Sequence, residues 1–199
     1  EANTWGQTIQ NKEGLKTNPN VSIMGEVPEG IPTNNWTIQE GRSLTDNEQQ
    51  YGSSVVILGQ DIVKKLFPRG SAVGQDVKIG NDRYTVIGVF EVKGSAMGGN
   101  SDNFVVIPLS KFLNEFGKQR SLNIMIKAKS PEVYEQTMED ARMALRTVRK
   151  VEPGKEDDFE IFSNESLIST FNDFTKYVKM GVGFISFISL LAAGVGIMN

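Results

Sequence analysis

The chain has 199 residues, a formal net charge of −3, and neither histidine nor cysteine. That length holds one domain or two small ones with a real core. The charge balance argues against nucleic acid, which calls for a clustered basic face. The missing residue types exclude Cys/His zinc sites and the Ser-His-Asp and Cys-His nucleophile systems.

Taken in order, Thr4 to Lys16 carries Trp5, Ile9 and Leu15 among polar residues and is predicted as a short helix. Val21 to Val27 alternates and reads as a strand. Pro28 to Asn35 reads as a loop. Ser53 to Leu58 is an apolar run of strand length, expected to be buried on both faces. A short helix follows over Gln60 to Phe67, stopped by Pro68. Gln75 to Ile79 and Arg83 to Val92 are two strands joined at Gly80-Asn81-Asp82, a hairpin. A glycine-rich loop, Gly94 to Asn103, precedes a strand over Phe104 to Ile107, which Pro108 breaks. Ser110 is expected to cap a helix through Phe116, with Gly117 behind it.

Leu122, Ile124, Ile126 and Ala128 alternate with polar or longer residues and predict another strand. Ser130-Pro131-Glu132 is a helix start. Tyr134, Met138, Ala141, Leu145 and Val148 then form one apolar stripe. Phe159 to Phe162 is read as the next strand, making a βαβ unit with a right-handed crossover. The predicted fold class is α+β. Residues 1–40 and 110–162 form two halves of a βαβ repeat whose first strand lies upstream of Glu1. Residues 41–109 are a smaller mixed insertion.

The end of the chain is the most distinctive part. Ser163 caps a further helix, and Leu167, Phe171, Phe174 and Val178 fall at spacings of four, three and four, a heptad seam. The seam continues into an uncharged run from Met180 to Asn199. That run spans roughly 30 Å as a helix, the thickness of a hydrocarbon core. Residues 163–179 are therefore expected to be a stalk. Residues 180–199 are expected to begin a membrane helix that the chain leaves unfinished. The opening Glu1, without Met, points to trimming at the front as well. The plainer reading is a helix buried in its own domain.

No catalytic constellation emerges, so the chain is not read as an enzyme, and no metal or cofactor is expected. Gly94 to Asn100 lacks the Gly-Lys-Ser/Thr of a phosphate-binding loop. Gly94, Ser95, Met97, Gly98 and Asn100 are instead candidates for a partner contact, with Met97 as the apolar anchor; a plain surface loop is the alternative. Glu156, Asp157, Asp158 and Glu160 lack calcium-loop spacing and read as solvated.

From Trp36 onward the chain resembles the MacB-like periplasmic core domain of ABC-transporter permeases of the MacB/FtsX type. Trp36 to Arg42, Val55 to Gly59, Leu66-Phe67-Pro68, Val73-Gly74-Gln75, Tyr84 to Val89, Phe104 to Pro108 and Ile188 to Asn199 carry the resemblance. It spans roughly four fifths of the chain. The resemblance implies a Porter-like βαβ part with an inserted α/β part, placed between the first two membrane helices of a permease. It implies a homodimer in the bacterial inner (plasma) membrane, with this domain on the periplasmic or extracellular side, driven by a cytoplasmic ABC ATPase. Efflux or release would follow from mechanotransmission, with an adaptor, an outer-membrane channel, or a lipoprotein or peptide cargo as partner. The alternative is a membrane-anchored binding or sensor module without an ATPase. A soluble sugar-binding domain with a buried apolar helix is a third option.

Overall fold

The computed structural model describes residues 1–93, 102–162 and 174–186. Two compact units divide the chain, 1–127 and 128–199.

The first unit is built on one sheet of eight strands: β1 (Ala2–Gln7), β2 (Ile9–Asn11), β3 (Val21–Glu26), β4 (Ile38–Gly41), β5 (Val55–Leu58), β6 (Asp76–Ile79), β7 (Asp82–Phe90) and β8 (Phe104–Pro108). The order is β1-β3-β8-β5-β7-β6-β2, with β4 paired to β7. The pairs β3–β8 and β5–β7 are parallel; β5–β8 and the β6–β7 hairpin are antiparallel. Four helices accompany it: α1 (Gly30–Thr33), α2 (Asp46–Tyr51), α3 (Gln60–Leu66) and α4 (Leu109–Phe116).

The expected helix over Thr4 to Lys16 is absent; that stretch contributes β1 and β2. Its residues are ordered by neighbours at distant positions, which outweigh local propensity. β1 pairs with β3 and β2 pairs with β6. Only Thr8 separates the two, so one continuous stretch joins both ends of the strand order and curls the sheet shut. The register slips between Thr4 and Gln7. Gly6, at φ +84°, supplies the left-handed residue that this bulge uses. Ile9 and Asn11 turn inward and are buried.

Both faces of the central strands are covered, as the apolar runs predict. Val56, Leu58, Val105 and Ile107 enter one cluster with Ile62, Tyr84 and Phe112. Ile57, Phe104 and Val106 enter the other with Ile31, Leu44, Ile87 and Phe90. Each fully buried Val, Leu or Ile contributes about 1.5–3 kcal/mol. Close packing also sets a glycine: a Cβ at Gly25 would lie 2.5 Å from the Phe112 Cβ.

Several local expectations need correction. Pro108 does not break the ladder; it is its last residue, opposite Glu26. Ser110 does not cap α4. Its hydroxyl donates to the Gln49 carbonyl, and Pro108 occupies the cap position. Pro28 to Asn35 contains the single turn α1. Strand pairing between β2 and β6, and between β3 and β8, runs across the expected boundary at residues 40/41.

In the second unit, a 3₁₀ turn (Pro131–Val133) leads into α5 (Tyr134–Arg149). Tyr134, Met138, Ala141 and Leu145 are half-buried along the expected stripe, but Val148 is exposed. The strands predicted at 122–129 and 159–162 are not formed. A strand needs a neighbour along its length. At 122–129 main-chain exchange is confined to Asn123, which meets Glu1. Just ahead of 159–162, Asp157 and Asp158 are held by arginines of α5. The expected βαβ unit is therefore absent here. Residues 174–186 are helical.

Candidate functional site

The expected partner-contact residues Gly94, Ser95, Met97, Gly98 and Asn100 lie outside the described residues, as do Leu167 and Phe171 of the stalk seam. The base from which the 94–101 segment springs is described in full. β7 runs parallel to β5 and β8 antiparallel to it. The end of β7 and the start of β8 therefore meet at the same end of the sheet, beside Leu58 and Gly59.

There the Lys93 main-chain N–H donates to Asp102 Oδ1 at 3.0 Å. The Asp102 carbonyl accepts from Asp61 N at 3.3 Å, and Gly59 N donates to the Phe104 carbonyl at 2.9 Å. Such a close approach requires glycine: a Cβ at position 59 would stand 2.4 Å from the Asp102 carbonyl oxygen. Asn103 Nδ2 reaches the Asn20 carbonyl at 2.8 Å.

Three aromatic rings floor this corner. Trp36 lies 5.4 Å from Phe90 and 5.1 Å from Phe104 between ring centroids, and Phe90 and Phe104 are 5.2 Å apart. The Lys93 ammonium sits 5.6 Å from the Trp36 ring centre, a cation–π geometry. It also donates to the Asn34 carbonyl at 2.7 Å. Partial burial lowers the Lys93 pKa, and the Asp102 charge works against that shift. The cavity between these residues measures about 50 Å³. That holds a few waters, not an organic ligand, whose pockets run to roughly 300 Å³ or more.

The turn that carries Trp36 is anchored by a buried acid. Asn34 Nδ2 donates to Glu26 Oε1 and to the Gly30 carbonyl, both at 3.0 Å. Burial pushes the Glu26 carboxyl up to about 7, against the pull of the Glu1 α-amino group and the Asn34 amide. The Glu1 carboxylate adds to the rise.

Sequence reading missed α2 and its ion pair. The signal was present: Thr45-Asp46-Asn47-Glu48 has the spacing of a capping box. Thr45 and Glu48 close that box. Arg42 grips the same carboxylate through Nη1 at 2.9 Å and Nη2 at 2.6 Å. Arg42 is the largest reason that Glu48 is pushed down to about 2.

In the second unit Glu156, Asp158 and Glu160 of the acidic stretch are exposed, as expected, and Asp157 and Asp158 also take arginine partners. Arg142 Nε lies 3.2 Å from Asp157, Arg146 also meets Asp157, and Arg149 Nε donates to Asp158 at 2.7 Å. Arg146 further donates to the carbonyls of Glu152 and Lys155. Three arginines on one helix face thus clamp the turn that follows it. Among the described residues, no group of three or more acidic side chains gathers as a metal site.

In the helix at 174–186, the seam residues Phe174 and Val178 are exposed, as are Tyr177, Met180, Val182, Phe184 and Ile185. Among the described residues no helix is long and apolar enough to cross a membrane.

Comparison with known proteins supplies the context. Residues 2–144 match the MacB-like periplasmic core domain, so the match takes in residues 2–35, ahead of Trp36, where the resemblance read from the sequence begins. A pyoverdine export ATP-binding/permease protein, PvdT, of Pseudomonas syringae pv. tomato is 31% identical over 169 residues, covering 83% of this chain and 25% of that protein. A macrolide export ATP-binding/permease protein, MacB, of Rhodospirillum rubrum is 28% identical over 180 residues, covering 89% and 27%. The chain thus spans about a quarter of the length of these curated relatives.

Among solved structures, the periplasmic region of MacB from Actinobacillus actinomycetemcomitans gives a TM-score of 0.66 at 16% identity, covering 86% of this chain and 73% of that one. The extracellular domain of the noncanonic ABC-type transporter YknZ from Gram-positive bacteria gives 0.62 at 21% identity, covering 76% and 74%. These two likenesses concern the fold.

Proposed function

The chain belongs to the family of MacB-like periplasmic core domains, and from that membership we propose that it is the extracytoplasmic part of an ABC exporter permease. The observation that carries this reading is the family match over residues 2–144. The relatives named as export ATP-binding/permease proteins give it direction. The domain faces the periplasm or the exterior from a bacterial inner membrane. It performs no catalysis itself; ATP is hydrolysed by a cytoplasmic ABC ATPase in the same assembly.

Residues 163–179 act as a stalk and 180–199 begin a membrane helix. Two features support this. Large apolar side chains are exposed along the helix at 174–186, and no charge occurs from Met180 to Asn199. A stiff helix continuous from membrane to domain carries displacement from one to the other. The permease works as a homodimer. The 94–100 segment, with Met97 as its apolar anchor, meets an adaptor or cargo, and its tied, aromatic-floored base keeps that contact in place.

The test is a full-length protein carrying Phe171→Pro and Phe174→Pro. Two prolines within one turn break a helix at a cost of about 3 kcal/mol each. Export-dependent resistance should vanish while membrane insertion and protein level stay normal. Undiminished export in that variant overturns the stalk.

A further inference from the structure

Register places four polar side chains in line across the outer face of the sheet. Arg83 on β7 stands opposite Lys78 on β6, and Lys78 stands opposite Gln10 on β2. Gln10 in turn bridges to Lys16, on the side of β2 away from β6. Directly opposite residues share a face, about 4.5–5.5 Å apart. Their neighbours along the strands point the other way: Ile9, Val77, Ile79 and Tyr84 are buried in the interior cluster. Lys16, Lys78 and Arg83 are exposed. From Lys16 to Arg83 the row measures about 15 Å, three strand spacings.

Folding gains nothing from this row. Like charges directly opposite one another cost stability, and Lys78 faces Arg83. The carboxylates nearby are committed elsewhere. Asp76 gives one oxygen to Lys12 at 3.0 Å and the other to the Thr85 hydroxyl at 3.1 Å. Asp82 holds Lys111 at 2.6 Å. Among the described residues, Lys16, Lys78 and Arg83 form no ion pair, and neither does Glu13, which is exposed in the turn beyond Lys12. Lysines that guard a sheet against mispairing sit on its edge strands, but β6 and β7 have strands on both sides. The row also lies apart from the Lys93–Asp102 corner. Arg83 and Phe90 are seven steps apart on β7, about 23 Å of extended chain.

We propose that this row docks an acidic segment of a partner protein, laid across the strands in extended form. Charge complementarity selects the occupant: the row is a local excess of positive charge in a chain of formal net charge −3. Spacing selects its shape. Carboxylates at alternate positions of an extended chain repeat about every 6.6 Å, so three of them cover about 13 Å. Gln10, within the row, presents both a donor and an acceptor to the main chain of the segment. Three cations are too few for nucleic acid, whose binders neutralise roughly six phosphates or more. Asp76 and Thr85 flank the row where a membrane-binding face would carry inserting apolar side chains. The proposal holds whether or not the chain belongs to an exporter.

The test uses the 1–199 chain and a labelled synthetic peptide in which glutamate alternates with threonine. Fluorescence anisotropy should show saturable binding that weakens as salt rises. Lys78→Glu should lower the affinity at least about tenfold. Lys118→Glu makes the same change in net charge on an exposed residue beyond α4, which packs on β1, β3 and β8. It should leave the affinity within about twofold, because screening isolates distant charges. No binding by the unmutated chain, undiminished binding in Lys78→Glu, or equal losses in the two variants overturns the proposal. Phosphatidylglycerol vesicles that bind where the peptide does not would assign the row to lipid, and overturn it as well.

Stability separates docking from folding. Lys78→Glu sets opposite charges across β6 and β7, so its urea midpoint should equal or exceed that of the unmutated chain. A lower midpoint would give Lys78 a structural role and count against docking.

Discussion

The main-chain N–H of Lys93 donates to the Asp102 carboxylate at 3.0 Å, so the two ends of the 94–101 segment are tied together at their origin. Directly behind this tie, the Asp102 carbonyl lies against Gly59. The footing of the proposed partner contact thus depends on a residue whose own sequence signal is only a glycine between a strand and a helix.

Gly59→Ala should destabilise the domain by about 1–3 kcal/mol, the usual cost of forcing a carbon into packed backbone. The listening probe is the urea midpoint of the 1–199 chain. A midpoint equal to that of the unmutated protein means that Asp102 can withdraw, and that the footing is not rigid.

The two tryptophans should behave oppositely. Trp36 stacks on Phe90 and Phe104, whereas Trp5 is 73% exposed on β1. Trp36→Ala should cost about 3 kcal/mol, the lower end for truncating a large aromatic in a core. Trp5→Phe should leave stability within about 0.5 kcal/mol, as surface changes do. In Trp5→Phe the remaining fluorescence should be blue-shifted and move red on unfolding; emission already at the solvent position would contradict the stacked corner.

Two glutamates give stability opposite slopes with pH. Glu26 is raised from 4.5 to about 7 in the folded chain. Between those values the folded state holds a proton that the unfolded state has lost. This group's contribution therefore falls as pH rises through the window. Glu48 is lowered from 4.5 to about 2. Its contribution is present above 4.5 and is lost as pH falls towards 2. Urea midpoints at pH 5 and pH 7.5 should converge in Glu26→Gln. Thr45→Ala, which removes the cap beside Glu48, should cost about 1 kcal/mol. An unaltered pH slope in Glu26→Gln would place the titration elsewhere.

Much of the first unit was legible in the sequence. Val56, Ile57 and Leu58 announce a strand covered on both faces, and Gly80-Asn81 marks a hairpin that forms where expected. These signals are local. What escaped depends on distant partners. Thr4 to Asn11 has no strong period of its own, and only β3 and β6 make it a strand. Leu122 to Lys129 has the alternation of a strand, yet at Asn123 its exchange partner is the chain's first residue. Asp157 and Asp158 looked idle because the arginines that hold them sit nine to fifteen positions earlier. The capping box at Thr45 was readable and was passed over.

The stretch 2–11 pairs with β3 through its first half and with β6 through its second. Cutting it away would bare two flanks at once, each a row of main-chain donors and acceptors with nothing to bond. A shortened version starting after Asn11 should therefore not stay a dispersed monomer, however intact the hydrophobic interior looks on paper.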